Sequence, residues 1–335
     1  AAMQASVEDR RAILVSAQAE LARDYIELRA TQTLLAITQD NLKLARDTVK
    51  LTHLQLTEGV TTDLDVANAS AQVASVEARL PPLETQRDAL INALSLLLGE
   101  GPGALGPMLS NASDIPSLPA QAPIGFPSEL VRRRPDIRQA EAKLHSATAQ
   151  IGVAQADFYP QITLTGSLGY QSLQLSSLGD WASHQFVFGP SISLPIFQGG
   201  RLKGTLELRK AQQQEAAIVF QRTVLQAWHE VDDALSAYDA EQRRRDRLKE
   251  VVQQDQIALA VAQQRYRAGA IDFLNVLTVQ RDLLNAQSDL AQSRASAAVN
   301  LVTLYKALGG GWETAFPEAP TSAQQAKSVP LKTPQ

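Results

Sequence analysis

Acidic side chains next to an apolar residue recur at two places in this sequence, Asp63-Leu64-Asp65 and Asp272-Phe273-Leu274. Each triplet follows a glycine, Gly59 or Gly269, and the two glycines stand 210 positions apart. Carboxylates repeated around an axis attract cations and apolar rings narrow a water path, so the triplets carry the chemistry of a selective, gated constriction. The same residues also suit the first turn of a helix, where acids face unpaired amides and a leucine locks the turn. At the level of sequence both readings stand.

Other chemistry finds little support. His53, His145, His184 and His229 neither cluster nor share a ligand spacing, so no metal centre is expected. The acids are dispersed, no nucleophile elbow occurs, and Gly199-Gly200-Arg201 lacks the Lys-Ser/Thr of a phosphate loop. With no cysteine, thiolate catalysis and disulfides are excluded within the 335 residues. The expectation is therefore no catalytic residue, no cofactor and no enzyme. A net charge of -4 with mixed signs offers no basic face for nucleic acid. Arg132-Arg133-Arg134 resembles a phosphate contact in isolation, but a solvated helix end pairing with nearby carboxylates is the expected role.

The elements that position the triplets are long helices. Leucine recurs at 14, 21, 28, 35 and 42, followed by Val49 and Leu56, with Ala17, Ala45 and Thr52 widening the seam. A strict seven-residue period predicts coiled-coil packing, and the run from Ser6 to Thr57 would extend roughly 75 Å at about 1.5 Å per residue. Past Gly59 the return arm uses Val73, Val76, Leu80, Leu83, Leu90, Leu94 and Leu97, with a break expected at Pro81-Pro82. The same offset of 210 carries Leu64-Asp65-Val66 onto Leu274-Asn275-Val276 and Leu98-Gly99 onto Leu308-Gly309, so the hairpin is an internal repeat. The second return arm uses Val276, Val279, Leu283, Leu290, Leu301 and Leu304, with Ala286, Ala297 and Ala307 at smaller seam positions. Arg243 to Arg247 make a charged stretch, expected to be solvated or to bridge helices.

Between the hairpins the period changes to two. Ile162, Leu164, Leu168 and Tyr170 alternate with Thr163, Thr165 and Ser167, and Phe186, Phe188, Ile192, Leu194 and Ile196 repeat the parity. That is strand behaviour with one apolar face. The face would enter a soluble core or meet lipid. A length near ten residues suits a bilayer crossing, and no other sheet is in sight. Two strands cannot close a barrel, so further strands or other chains are required. Pro190 and Pro195 demand strand ends or irregularity. No run of 18 apolar residues predicts a membrane helix.

Spaced motifs then add a resemblance. Pro127-Ser128-Glu129-Leu130-Val131-Arg132-Arg133-Arg134-Pro135-Asp136-Ile137-Arg138, Ala156-Asp157-Phe158-Tyr159-Pro160, Pro195-Ile196-Phe197-Gln198-Gly199-Gly200-Arg201, Arg265-Tyr266-Arg267-Ala268-Gly269 and Leu308-Gly309-Gly310-Gly311-Trp312 occur in order. In these the chain resembles the outer-membrane factor family, the TolC-like exit ducts of tripartite efflux systems, and especially the OprM/NodT-like lipoprotein branch. The resemblance implies a mainly α fold of long helical hairpins forming a periplasmic tunnel, plus a small transmembrane β portion completed into a barrel by a homotrimer. It implies a Gram-negative outer-membrane location reaching into the periplasm, with a membrane-fusion adaptor, an inner-membrane pump and outer-membrane lipid as partners. Residues 1–101 would be the first hairpin, 102–126 a surface connector, 127–158 a helix, 159–198 the strand pair, 199–311 the second hairpin and 312–335 a tail. Because one strand pair is missing, an N-terminally truncated fragment is expected.

Carried over residue by residue, the resemblance implies that the tips at Gly59 and Gly269 meet the adaptor. Tyr266 and Arg267 would hold the inner hairpin closed, and Leu274 would face the constriction. Asn275 and Thr278 stand where the family often has aspartates, which weakens a cation ring from the second repeat and leaves Asp65 or Asp272 to supply one. Ile162, Leu164, Leu168, Phe186, Phe188 and Ile192 would face lipid. The alternative is a coiled-coil scaffold with a soluble sheet, or a nonfunctional truncated duct.

Overall fold

The leucine period of the first arm becomes one uninterrupted helix in the computed structural model, which describes residues 2–116, 133–173 and 179–310. Helix α1 spans Ala2–Thr57, α2 Asp63–Glu77, α3 Leu80–Leu97 and α4, a single turn, Gly106–Leu109. Helix α5 runs over Pro135–Ala156, strands β1 and β2 over Gln161–Tyr170 and His184–Ser193, helix α6 over Arg201–Arg267 and α7 over Phe273–Ala307. The expected helix start before Arg133 and the tail at 312–335 lie outside the described residues. Among the described residues the fold is mostly long helices with one small antiparallel hairpin. The chain divides into two units, Ala1–Asp9 with Pro135–Leu225 and Arg10–Arg134 with Gln226–Gln335.

In the second unit the seam of α1 is formed by Leu28, Leu35 and Leu42 alternating with Thr31, Thr38, Ala45 and Thr52, all buried. Threonine is tolerated there because its hydroxyl bonds back to the preceding turn: Thr31 Oγ1 donates to Glu27 O at 2.9 Å and Thr38 Oγ1 to Leu34 O at 2.7 Å. Helix α7 lies between α1 and α6. Ala295 and Ala298 meet Ile26 and Ala30 of α1, while Leu304 and Ala307 meet Ala234 of α6. Small residues let the backbones come close enough for this.

The break expected at Pro81-Pro82 is present. Helix α2 ends at Glu77 and α3 restarts with the prolines in its first turn, where the missing N–H would have lacked a partner anyway. Ala291-Gln292 hold these positions in the second repeat, and α7 runs through unbroken. The described start of the connector runs over the surface as expected, with one residue pinned beneath it. Leu109 is buried, and the buried Arg29 and Gln32 of α1 donate to Asn111 O at 2.7 Å and Leu109 O at 2.6 Å.

The charged stretch resolves mainly into pairs along α6 itself. Arg244 reaches Glu241 at 3.3 Å, Arg247 reaches Glu250 at 3.1 Å and Lys249 reaches Asp246 at 3.1 Å. The link across to α7 is a hydroxyl, Ser293 Oγ donating to Glu241 Oε1 at 2.6 Å. Arg134 finds the expected carboxylate but not the expected solvent. It is buried rather than solvated, donating to Ala307 O at 2.9 Å and Glu230 Oε2 at 2.7 Å, and so it satisfies a terminal carbonyl of α7.

The first unit holds the sheet. Glu8 is buried against Arg138 at 3.3 Å, and Gln139 donates to Asp9 at 2.8 Å, which ties the start of α1 to α5. β1 pairs β2 with Ile162 opposite Ile192, Leu164 opposite Pro190 and Leu168 opposite Phe186. The parity read from the sequence is therefore the register, even residues against even.

Candidate functional site

Both hairpin tips are built by one device. At the end of α1, Gly59 N–H bonds Leu56 O at 3.0 Å and Val60 N–H bonds Gln55 O at 2.9 Å; at the end of α6, Gly269 N–H bonds Tyr266 O at 2.9 Å and Ala270 N–H bonds Arg265 O at 2.9 Å. This crossed pair requires a left-handed residue, and glycine supplies it with φ of 72° and 69°. The next helix starts four residues after each glycine, with extended Thr62 and Asp272 as the residues before the first turn.

Beyond this shared frame the tips differ. Asp65 Oδ2 accepts from Thr61 Oγ1 at 2.6 Å, Thr62 Oγ1 at 3.0 Å and Thr62 N–H at 3.2 Å. The Thr61 bond foremost, with those from Thr62, holds its carboxyl below the ordinary value against the opposing pull of burial. That carboxylate is thus already engaged in capping. Asn275, its counterpart, is exposed and reaches only Asp272 O at 3.5 Å.

The second tip contributes an aromatic pair. Tyr266 and Phe273 rings lie 5.3 Å apart, and Tyr266 Oη donates to Gln55 Oε1 at 2.6 Å, joining the two hairpins. Burial raises the phenol above its ordinary value, a hydroxyl contact with Thr61 opposes this, and the Asp65 charge adds to the rise. Phe273, read from sequence as a plug-like tip residue, instead sits in the core with Ala69, Leu259, Ala262, Val276 and Leu283. Leu64 and Leu274 are 67% and 63% exposed. Asp63, Asp272 and Arg267 are exposed and stand outside the Tyr266 network, while half-buried Thr278 bonds back to Leu274 O at 2.9 Å.

Several residues escaped the sequence reading. Gln55 and Thr61 complete the Tyr266–Asp65 network. Deeper in the seam, Gln280 Nε2 donates to Thr48 Oγ1 at 3.1 Å and Asn41 Nδ2 to Gln287 Oε1 at 2.9 Å. Gln280 and Gln287 are one heptad apart, as are Asn41 and Thr48. A polar residue on a seam position was the available signal, because such pairs fix register at some expense in stability.

The β-hairpin presents the second surface of interest. Ile162, Leu164, Leu168, Phe186, Phe188 and Ile192 are all exposed on one face. At its far end His184 stacks against Tyr170 at 4.4 Å and Trp181 at 4.6 Å. Gln171 N–H bonds Ser183 O at 2.8 Å, which makes the odd residues of β1 the hydrogen-bonded ones. Leu164–Pro190 is then an alternate pair, and the proline nitrogen points away from β1, where no ladder bond to β1 is lost. Among the described residues no group of three potential metal ligands occurs and no helix is long and apolar enough to cross a membrane.

Residues 1–100 and 126–310 match the family described as Outer membrane efflux protein. The chain is 34% identical over 309 residues to the toluene efflux pump outer membrane protein TtgC of Pseudomonas putida, covering 92% of this chain and 63% of that protein. It is 33% identical over 317 residues to the pyoverdine export outer membrane protein OpmQ of Pseudomonas putida, covering 94% and 66%. The chain thus spans about two thirds or slightly less of the length of these curated relatives. The solved structure of the outer-membrane channel OprN superposes with a TM-score of 0.84 at 35% identity, over 93% of this chain and 70% of that one. With both repeats matched and the fold superposed, the chain belongs to the outer membrane efflux protein family.

Proposed function

We propose that the chain is the duct-forming part of an outer-membrane channel, the passive exit component of a tripartite efflux system, carrying drugs or other small molecules across the periplasm and the outer membrane. The observation that carries this reading is the β-hairpin. A ten-residue pair with one wholly exposed apolar face and one hydroxyl-lined face, ending in an aromatic cluster, matches the lipid-facing and water-facing sides of a barrel strand. Its two free edges need partners in lipid, which a homotrimer with further strands supplies. Energy then comes from an inner-membrane pump and contact from a periplasmic adaptor. The adaptor meets the exposed turns around Gly59 and Gly269.

Tyr266, tied to Gln55, is the latch between hairpins on this reading. Exposed Leu274 narrows the path, and exposed Asp63 and Asp272 face passing cations. Relatives named for toluene and for pyoverdine are equally similar to this chain, 34% and 33% identical, as expected of a conduit whose cargo is chosen by its pump. The test is conductance of the natural polypeptide in planar bilayers, with Leu274→Ser. A channel whose conductance or open probability rises in the variant is the expected result. An unchanged channel overturns the Leu274 assignment, and a soluble, non-conducting particle overturns the duct.

A further inference from the structure

One residue breaks the apolar seam of α6. Every seventh position from Val224 holds Val224, Val231, Tyr238, Arg245, Val252, Leu259 and Tyr266, all at least half-buried, and only Arg245 is charged. Its side chain is 19% exposed. A charge on a seam position weakens the packing unless a partner compensates it.

Arg245 opens on a cavity of about 410 Å³ between α1, α6, α7 and the start of the connector, lined also by Lys249, Arg294, Asp114, Ile115 and Pro116. Lys249 follows Arg245 by one turn on the same face, and Arg294 enters from α7. Among the described residues these three cations have one carboxylate partner between them. Exposed Asp246 accepts from Arg245 at 3.0 Å and from Lys249 at 3.1 Å, whereas Arg294 has no hydrogen bond or ion pair. Asp114 lines the cavity without pairing with any of them, and Glu241, one turn before Arg245, is taken by Arg244 and Ser293. Like charges around one space repel unless an anion sits among them.

We propose that this cavity binds a small organic phosphate monoester. The three terminal oxygens and nearly double charge of such a group match Arg245, Lys249 and Arg294, and Ile115, Pro116 and Ala291 offer its carbon half an apolar wall. A monocarboxylate would leave part of that charge unmatched. Bound there, the phosphate links α6 to α7. The inference rests on the interrupted seam and not on the channel reading, so either can fail alone.

The test is calorimetric titration and thermal unfolding of the natural polypeptide with phenyl phosphate, inorganic phosphate and benzoate at matched ionic strength. Phenyl phosphate is expected to bind most tightly of the three and to raise the melting temperature, as a ligand of the folded state does. Arg294→Gln, at an exposed residue, should weaken its binding at least about tenfold, the loss of one charge-assisted contact. Lys43→Gln, on α1 but outside the lining, should leave binding unchanged. Arg245→Leu should abolish binding yet raise the melting temperature without ligand, because it completes the apolar seam and removes the repulsion. Absence of binding overturns the proposal, as does phenyl phosphate binding no tighter than inorganic phosphate or benzoate, or binding indifferent to Arg294. A loss of stability in Arg245→Leu, which would make Arg245 no more than the partner of Asp246, overturns it as well.

Discussion

The two hairpins share a sequence period and turn geometry but differ in burial. Helix α7 buries fifteen side chains, whereas α2 and α3 together bury five. The reason lies in position. α7 has α1 on one side, through Gln280–Thr48 and Asn41–Gln287, and α6 on the other, through Ser293–Glu241 and Leu304–Ala234. The prolines that divide α2 from α3 have no equivalent there. A duplicated unit therefore becomes two parts, an inner arm fixed by packing and an outer arm with exposed faces left for other contacts.

The sharpest way to break this comparison is to truncate counterparts at the two tips. Phe273 and Asp63 occupy the same repeat position, the first 3% exposed and the second on the surface. Phe273→Ala is expected to cost about 3–5 kcal/mol, the range for a buried phenylalanine. Asp63→Ala should cost no more than about 1 kcal/mol, the value of an acid in the first turn. Denaturant midpoints of the two variants measure the gap, and equal losses would mean that the tips are packed alike.

The helix ends give the next contrast. A side chain at either Gly99 or Gly309 incurs the left-handed penalty of about 1–2 kcal/mol. Gly309→Ala additionally drives its Cβ into the Arg134 backbone, and overpacking adds about 1–3 kcal/mol. Thermal unfolding should rank Gly309→Ala well below Gly99→Ala. The reverse order would show that Arg134 yields freely.

Much of this difference was beyond the reach of local sequence. Period seven located Leu28, Leu35 and Leu42, the glycines located both turns, and alternation gave the strand register, because each depends on neighbours in the chain. Partners such as Gln55 for Tyr266 or Glu230 for Arg134 depend on which helix faces meet across 211 and 96 positions. Arg134 departs from expectation in its burial for that reason: a triple arginine before proline reads as a wet helix end, and only the end of α7 beside it makes one of the three a buried clamp. At the tip, the acids were legible as a cluster, but the Thr61 and Thr62 hydroxyls that claim Asp65 gave no periodic signal.

Asp65 also supplies a pH test of the first tip. Its folded value lies below the ordinary 3.8, so its contribution is complete above that value and is lost as pH falls through the depressed folded value. Asp65→Asn should lower stability by about 0.5–1.5 kcal/mol near neutrality, the net worth of such bonds, and the gap from the parent should narrow steadily in acid below the ordinary value. A gap that stays constant down to the acid limit would remove the carboxylate from the cap.

The smallest effect is expected from importing that acid into the second tip. Asn275→Asp places a carboxylate where an exposed first-turn charge is worth about 0.3–1 kcal/mol. However, the residues that hold Asp65 are Thr61 and Thr62, and their counterparts are Ile271 and Asp272, one without a hydroxyl and the other of like charge. The single change should therefore leave stability within about 0.5 kcal/mol, with the gain appearing only when Ile271→Thr and Asp272→Thr accompany it. If Asn275→Asp alone stabilised as much as the triple variant, the helix dipole rather than the hydroxyl pair would make the cap, and the two tips would differ in charge alone.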